Sequence, residues 1–259
     1  MDRKDQVSQK SKNPDVAEFM RQQTARSMLN LSWDTPVYKP LHEREENKGS
    51  RYAWTDKGRL DRERAVYEIA GDDRRPLLVM RECTLCKGTD DALLSTKLDN
   101  ERTQLMAHWF HLVKLPPHVM EADHPFGALF DGDSPPHLFV ASWDGSGVVE
   151  LPGDQSQAAL WDAMESVLER DYEGDFERSL RDTLRILDRF DRLDQEERML
   201  RIKLGQEIEE DGPRSRKVKS LQKDLAKVTE ERRELEDDLL RVRTLPLKET
   251  VAAGDRPGD

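Results

Sequence analysis

Cysteine is almost missing from this chain: there are two, Cys83 and Cys86, in 259 residues. That excludes a disulfide-stapled scaffold, because a chain of this size would need several bridges. A close pair in a reducing compartment points instead to catalysis or metal binding. Long apolar runs are also missing. None approaches the ~18–20 residues that span a bilayer, and the N-terminal "MDRKDQVSQKSKNPDV" has positive charge with no apolar core behind it. A secretory signal and a membrane span are therefore not expected, and the cytoplasm is. Apolar residues make up only 36% of the chain against 37% charged, so a compact core cannot run its whole length. There is no basic excess either. With 53 acidic and 42 basic residues the net charge is -11, which argues against nonspecific nucleic-acid binding.

The pattern present divides the chain into four parts. Residues 1–57 read as a polar N-terminal arm with one short helix in "PDVAEFMRQQTARSMLNL", where Val16, Phe19, Met20, Met28 and Leu29 fall near one face. Trp33, Tyr38 and Trp54 are placed to pin the arm to a partner or to the domain that follows, and the domain is expected. Residues 58–172 then alternate. "GRLDRERAVYEIAGDD" is helical and stops at Gly71. "RPLLVMR" is a short buried strand, "CTLCKGTDDALLSTKLD" a helix starting at the cysteines, and "AHWFHLVKLP" a second strand stopped by Pro116 and Pro117. "HVMEADHPFGALFDGDS" is a helix or loop. "PPHLFVASWDGSGVVELPG" is a hairpin around Asp144-Gly145. "DQSQAALWDAMESVLERDY" is a capped helix with Leu160, Ala163, Met164 and Val167 inward. The sum is a mixed α/β unit.

That arrangement, with Cys83-Thr84-Leu85-Cys86 directly after a strand and Pro136 well downstream at the mouth of a hairpin, resembles the thioredoxin-like family. The resemblance covers under half of the chain. It implies a thioredoxin-like α/β fold, a central mixed sheet flanked by helices, and thiol–disulfide oxidoreductase activity. It implies that Cys83 attacks a substrate disulfide, that Cys86 resolves the mixed disulfide, and that Pro136, at the position of the family's cis-proline, packs beside the sulfurs. No cofactor is implied. The chain departs from the family where Glu82 replaces its Trp, Thr84-Leu85 its Gly-Pro, and Leu77 its buried acid. Pro135 also removes an N–H from the residue that would pair with a bound peptide. Arg81 favours a Cys83 thiolate and Glu82 opposes it, each by about 1 kcal/mol in water at close range.

From Phe176 to Val242 the composition turns to Arg, Glu, Asp and Leu, broken only at "DGPRS". Two heptad-like seams flank the break: Ile186, Phe190, Leu193, Glu197, Leu200, Leu204, Ile208, then Val218, Leu221, Leu225, Val228, Arg232, Leu235, Leu239, Val242. Gly212-Pro213 makes residues 173–244 an antiparallel coiled-coil hairpin rather than one continuous helix. Folding it between Arg214 and Ser215 sets Ile208 against Leu221 and Glu197 against Arg232, the only polar residues of the seams. Such a projection serves to bind a protein partner or to self-associate as a homo-oligomer. Residues 245–259 read as a disordered tail.

Metal and haem chemistry are the other readings of the cysteines. His108 and His111 form an HxxH that could complete a zinc site. The gap between Cys86 and His108 fits no common finger, however, and a three-residue step along a strand sends side chains to opposite faces. Haem attachment needs His where Lys87 stands. His42, His118 and His124 are scattered, and His137 is expected at the surface. The competing class is a thioredoxin-fold scaffold with an idle pair, whose coiled coil assembles a complex.

Overall fold

The computed structural model describes residues 21–36, 58–82, 100–133, 135–151 and 156–249. Cys83, Cys86, the helix expected from the cysteines to Asp99, and Tyr38 and Trp54 of the arm lie outside them.

After a short helix α1 (Gln23–Ser27) come α2 (Arg62–Ala70), β1 (Leu77–Arg81), α3 (Glu101–Ala107) and β2 (His111–Leu115). Two 3-10 turns, Pro117–Met120 and Gly127–Phe130, lead to β3 (Leu138–Ala141) and β4 (Val149–Leu151). The chain closes with α4 (Gln157–Asp171), α5 (Phe176–Asp211) and α6 (Arg216–Arg243). The helix starts are local chemistry. Asp61, Ser156, Asp175 and Ser215 each accept a hydrogen bond from the backbone N–H three residues on, satisfying a donor that the first turn leaves unpaired.

The four strands lie in the order β2-β1-β3-β4. β1 runs parallel to β2 and antiparallel to β3, and β3 pairs antiparallel with β4. The central strand explains the uninterrupted apolar run in "PLLVM". Leu78 and Met80 enter a core shared with α3, α4 and the base of α5 and α6, while Leu77 and Val79 enter a second core under α2 and the 3-10 turns. A strand covered on both faces has no solvent side to alternate with.

Four expectations need correction. Residues 107–110 are not strand: α3 ends at Ala107, a turn follows, and β2 starts at His111. The tail is not free from Leu245, because Tyr172 bridges Leu247, Glu173 N donates to Pro246 O at 2.8 Å and Lys248 N to Asp171 O at 2.9 Å. The hairpin is not a separate body at its base. Leu180, Ile186, Leu187, Phe190 and Leu193 of α5, with Val228, Leu235 and Leu239 of α6, share one continuous core with the sheet. Finally, Ile208 is 39% exposed and Glu207 takes its inward place. Positions 193, 197, 200, 204 and 207 step four, three, four, three, which keeps one helical face. A second step of four to 208 drifts off it. Glu207 accepts from Ser215 Oγ at 3.0 Å and Lys217 Nζ at 3.2 Å, closing the tip.

The register of the hairpin is as the seams imply. Arg232 Nη2 donates to Glu197 Oε2 at 2.6 Å and to Asp194 Oδ1 at 3.0 Å.

Candidate functional site

The frame of the cysteine segment is described up to the residue before Cys83. β1 continues its pairing past its own end: Arg81 N donates to His137 O at 2.9 Å and Glu82 N to Leu115 O at 2.8 Å. Because β1 and β3 run in opposite directions, the residues leaving β1 lie beside those entering β3, with Met80 opposite Leu138. Glu82 is thereby brought next to Pro136-His137, although the two are far apart in sequence. The chain leaves this frame directly into Cys83.

The electrostatics at this edge differ from a count of neighbouring charges in sequence. Glu82 is paired with Lys114 of β2 at 2.8 Å, both side chains being partly exposed. Arg81 lies over the Phe130 ring, 5.9 Å from its centre, with its Nε buried and unpartnered among the described residues. The charge of Glu82 is thus offset by a lysine not adjacent in sequence, with Arg81 as a second cation at this edge.

Two features at the same edge were not legible in the sequence. His137 is buried at 6% exposure rather than lying at the surface. His118 and His124, read as scattered, pack edge to face with ring centroids 5.3 Å apart just beyond the end of β2. Burial, then the like charge of His118, push the His124 imidazole down to about 4, so it is neutral at pH 7. Against the family pattern, no peptide bond among the described residues is cis, the bond into Pro136 included. Leu77 is fully buried, as expected of an apolar residue there.

The HxxH pair belongs elsewhere. His111 opens β2 opposite Leu77, at the other end of the strand pair from Leu115 and Arg81, a separation of ~13 Å at ~3.3 Å per residue. Both histidines line a separate cavity of about 530 Å³ with Asp34, Asp73 and Arg75. His108 Nε2 donates to Met28 O at 3.0 Å, and His111 Nε2 lies 3.5 Å from Asp34 Oδ2. Among the described residues no group of three or more His, Asp or Glu side chains is disposed to hold a metal, and no helix is long and apolar enough to cross a membrane.

The N-terminal segment is strapped across α5, which no local motif signals. Arg21 bonds Glu101, Asp188 and Asp191 at 2.5–3.0 Å. Burial works against its charge, but these carboxylates outweigh it and raise its pKa. α1 has no cap of its own and takes one from α5: Gln22 N donates to Asp191 at 2.7 Å, and Thr24 N and Oγ1 to Asp194 at 2.8 and 2.7 Å. Asp34 then bridges Val113 on the outer edge of β2, and Trp33 packs on the core.

Comparison with protein-family models, with curated proteins and with solved structures finds no match for this chain.

Proposed function

We propose that the chain is a thioredoxin-like thiol–disulfide oxidoreductase acting through Cys83 and Cys86 on a specific protein partner. The observation that carries this reading is the pairing of Arg81 and Glu82 with His137 and Leu115. It supports a site in which the cysteine segment begins at the carboxyl edge of the sheet, beside Pro136 and under net positive charge. The Cys83 thiolate attacks one sulfur of a substrate disulfide, forming a mixed disulfide and releasing a substrate thiolate that takes up a proton. The Cys86 thiolate then attacks the Cys83 sulfur, forming Cys83–Cys86 and releasing the second substrate thiol. The substrate gains two electrons, the pair loses two, and a donor dithiol returns the pair to its reduced state.

The test is the reduction potential of the pair, joined to Cys86→Ser as a trap for the mixed disulfide. The expectation is a disulfide in equilibrium between about -300 and -100 mV and a substrate held on Cys83 by the trap. A pair that forms no disulfide in that span and traps nothing refutes the enzyme. A second reading, a non-catalytic thioredoxin-fold scaffold whose coiled coil assembles a complex, is favoured by the continuity of the core into α5 and α6. It predicts that Cys83→Ser/Cys86→Ser leaves partner binding unchanged.

A further inference from the structure

The outer face of α6 carries a charge pattern that its own fold does not use. Residues 214–227 hold six basic side chains and one acidic, and residues 230–238 hold six acidic and two basic. On the side turned away from α5 the two halves form one stripe. Arg216, Lys223, Glu230 and Asp237 succeed one another at seven-residue intervals, two turns or ~10.5 Å apart, with Lys219 and Glu234 beside them. All six are exposed, and neither the sheet nor any other described helix covers the stripe. Arg216, Lys219 and Lys223 have no ion-pair partner among the described residues. Glu230 and Asp237 share Arg233 at 2.7 and 3.3 Å, with the three side chains 59–68% exposed, and exposed pairs of that kind are weak and exchangeable.

We propose that this face binds a second copy of the chain, antiparallel, about a two-fold axis passing between Ala226 and Lys227. One register pairs all six stripe residues with opposite charges. Arg216 meets the partner's Asp237, Lys219 the partner's Glu234, and Lys223 the partner's Glu230, and the two-fold repeats each contact. Each basic residue is as far from the axis as the acid it meets. The paired residues span Arg216 to Asp237, ~32 Å of helix. Ala226 at the axis lets the helices approach. A parallel pairing would stack like charges along the whole stripe, so the pattern selects direction as well as partner. A polyanion would engage the basic half only and be repelled by the acidic half. The proposal is independent of the thiol chemistry and concerns a surface remote from the cysteines in sequence.

Sedimentation velocity on the full chain tests it with two charge-reversed variants. One is Lys219→Glu/Lys223→Glu and the other Glu230→Lys/Glu234→Lys, each on exposed positions and each checked for unchanged helix content by circular dichroism. At low ionic strength the wild type is expected to be a dimer that dissociates as salt is raised toward about 1 M, where the screening length falls to about 3 Å. Each variant alone is expected to dimerise at least about tenfold more weakly, because its stripe now opposes itself. An equimolar mixture is expected to restore the dimer, since every reversed residue then meets a residue of opposite sign. A wild type that stays monomeric at low salt, a variant that dimerises as wild type does, or a mixture that stays monomeric overturns the proposal. So does a wild type that binds a short polyphosphate while remaining monomeric.

Discussion

Arg232→Met should cost the hairpin about 2 kcal/mol, between the values for buried and exposed ion pairs. The side chain is 22% exposed and donates to Asp194, 10% exposed, and Glu197, 21% exposed. In a fully buried pair, removal of one partner costs about 3–5 kcal/mol, because a charge is left without compensation. At the surface such pairs contribute about 1 kcal/mol or less. This cluster lies between the two limits, and neither acid is stranded when the arginine goes. Asp194 keeps the N–H and hydroxyl of Thr24, and Glu197 keeps Arg201 at 2.6 Å. A loss of about 2 kcal/mol in a chain of this size lowers Tm by about 4–8 °C. Urea denaturation at pH 7, followed by far-ultraviolet circular dichroism, reads the helices directly. A cycle with Glu197→Gln should show a coupling of about 1 kcal/mol between the two positions. Full reversal, Arg232→Glu with Glu197→Arg, should recover only part of the loss, because the new arginine sits one turn from Arg201 and the new glutamate faces Asp194. A cost below about 0.5 kcal/mol, at the level of an ordinary surface substitution, or a cycle in which the two changes simply add, refutes the idea that this cluster fixes the register. The hydrogen bonds from Arg232, then Arg201, also hold the Glu197 carboxyl below its ordinary range, so its contribution should be present above about pH 4.5 and vanish as pH falls through the depressed value.

His108 is held down to about 4, mainly by burial and then by the charge of Arg243. Its unfolded form takes a proton first as pH falls, so stability should be intact above about pH 6.5 and decline toward pH 4, by up to about 3 kcal/mol for this group. His108→Gln, which keeps a donor for Met28 O, should flatten the pH dependence of the urea midpoint, leaving the share due to His124. Gly147 has φ +58, and a methyl there would collide with the Arg170 guanidinium, so Gly147→Ala should displace that group from Ser142 and the buried Asp171. Backbone strain with the lost charge-assisted bonds gives about 2–4 kcal/mol, measurable as a fall in Tm. Ending the chain after Thr244 should remove the two backbone hydrogen bonds that Pro246 and Lys248 share with Glu173 and Asp171. It should cost about 2 kcal/mol, with faster hydrogen exchange at Glu173, and an unchanged exchange rate would show that the tail does not dock.

What could be read in the sequence was carried by short-range rules. The capped start of α4, the buried run of β1 and the three–four stepping of α6 each follow from a few neighbouring residues. The Glu197–Arg232 contact followed because a hairpin with a known turn converts sequence position into height along the helix. Arg21, Thr24 and Lys114 were not legible, since each is an ordinary polar residue whose partner is fixed only when distant elements meet. The His108 region misled for a related reason: "AHWFHLV" is apolar and aromatic enough for a strand, but its first residue finishes a helix. Around the cysteines, the two charges that precede Cys83 in sequence were visible, whereas the lysine that offsets Glu82 came from the adjacent strand.

The strap over α5 also bears on how the chain is made. Arg21 and Thr24 find their carboxylates 167 to 170 residues later. At about 5–20 residues per second on the ribosome, residues 21–28 would emerge roughly 10–30 s before Asp188, Asp191 and Asp194 exist to receive them. α1 has no cap of its own and is too short to persist alone, so during that interval the segment has only its contacts with Glu101, His108 and β2 to hold it, and its cap is missing. The first described part of the chain to be synthesised is therefore among the last to settle. A ribosome stalled before residue 188 would present α1 uncapped and without its contacts to α5, more open to proteolysis or to a chaperone until α5 is complete.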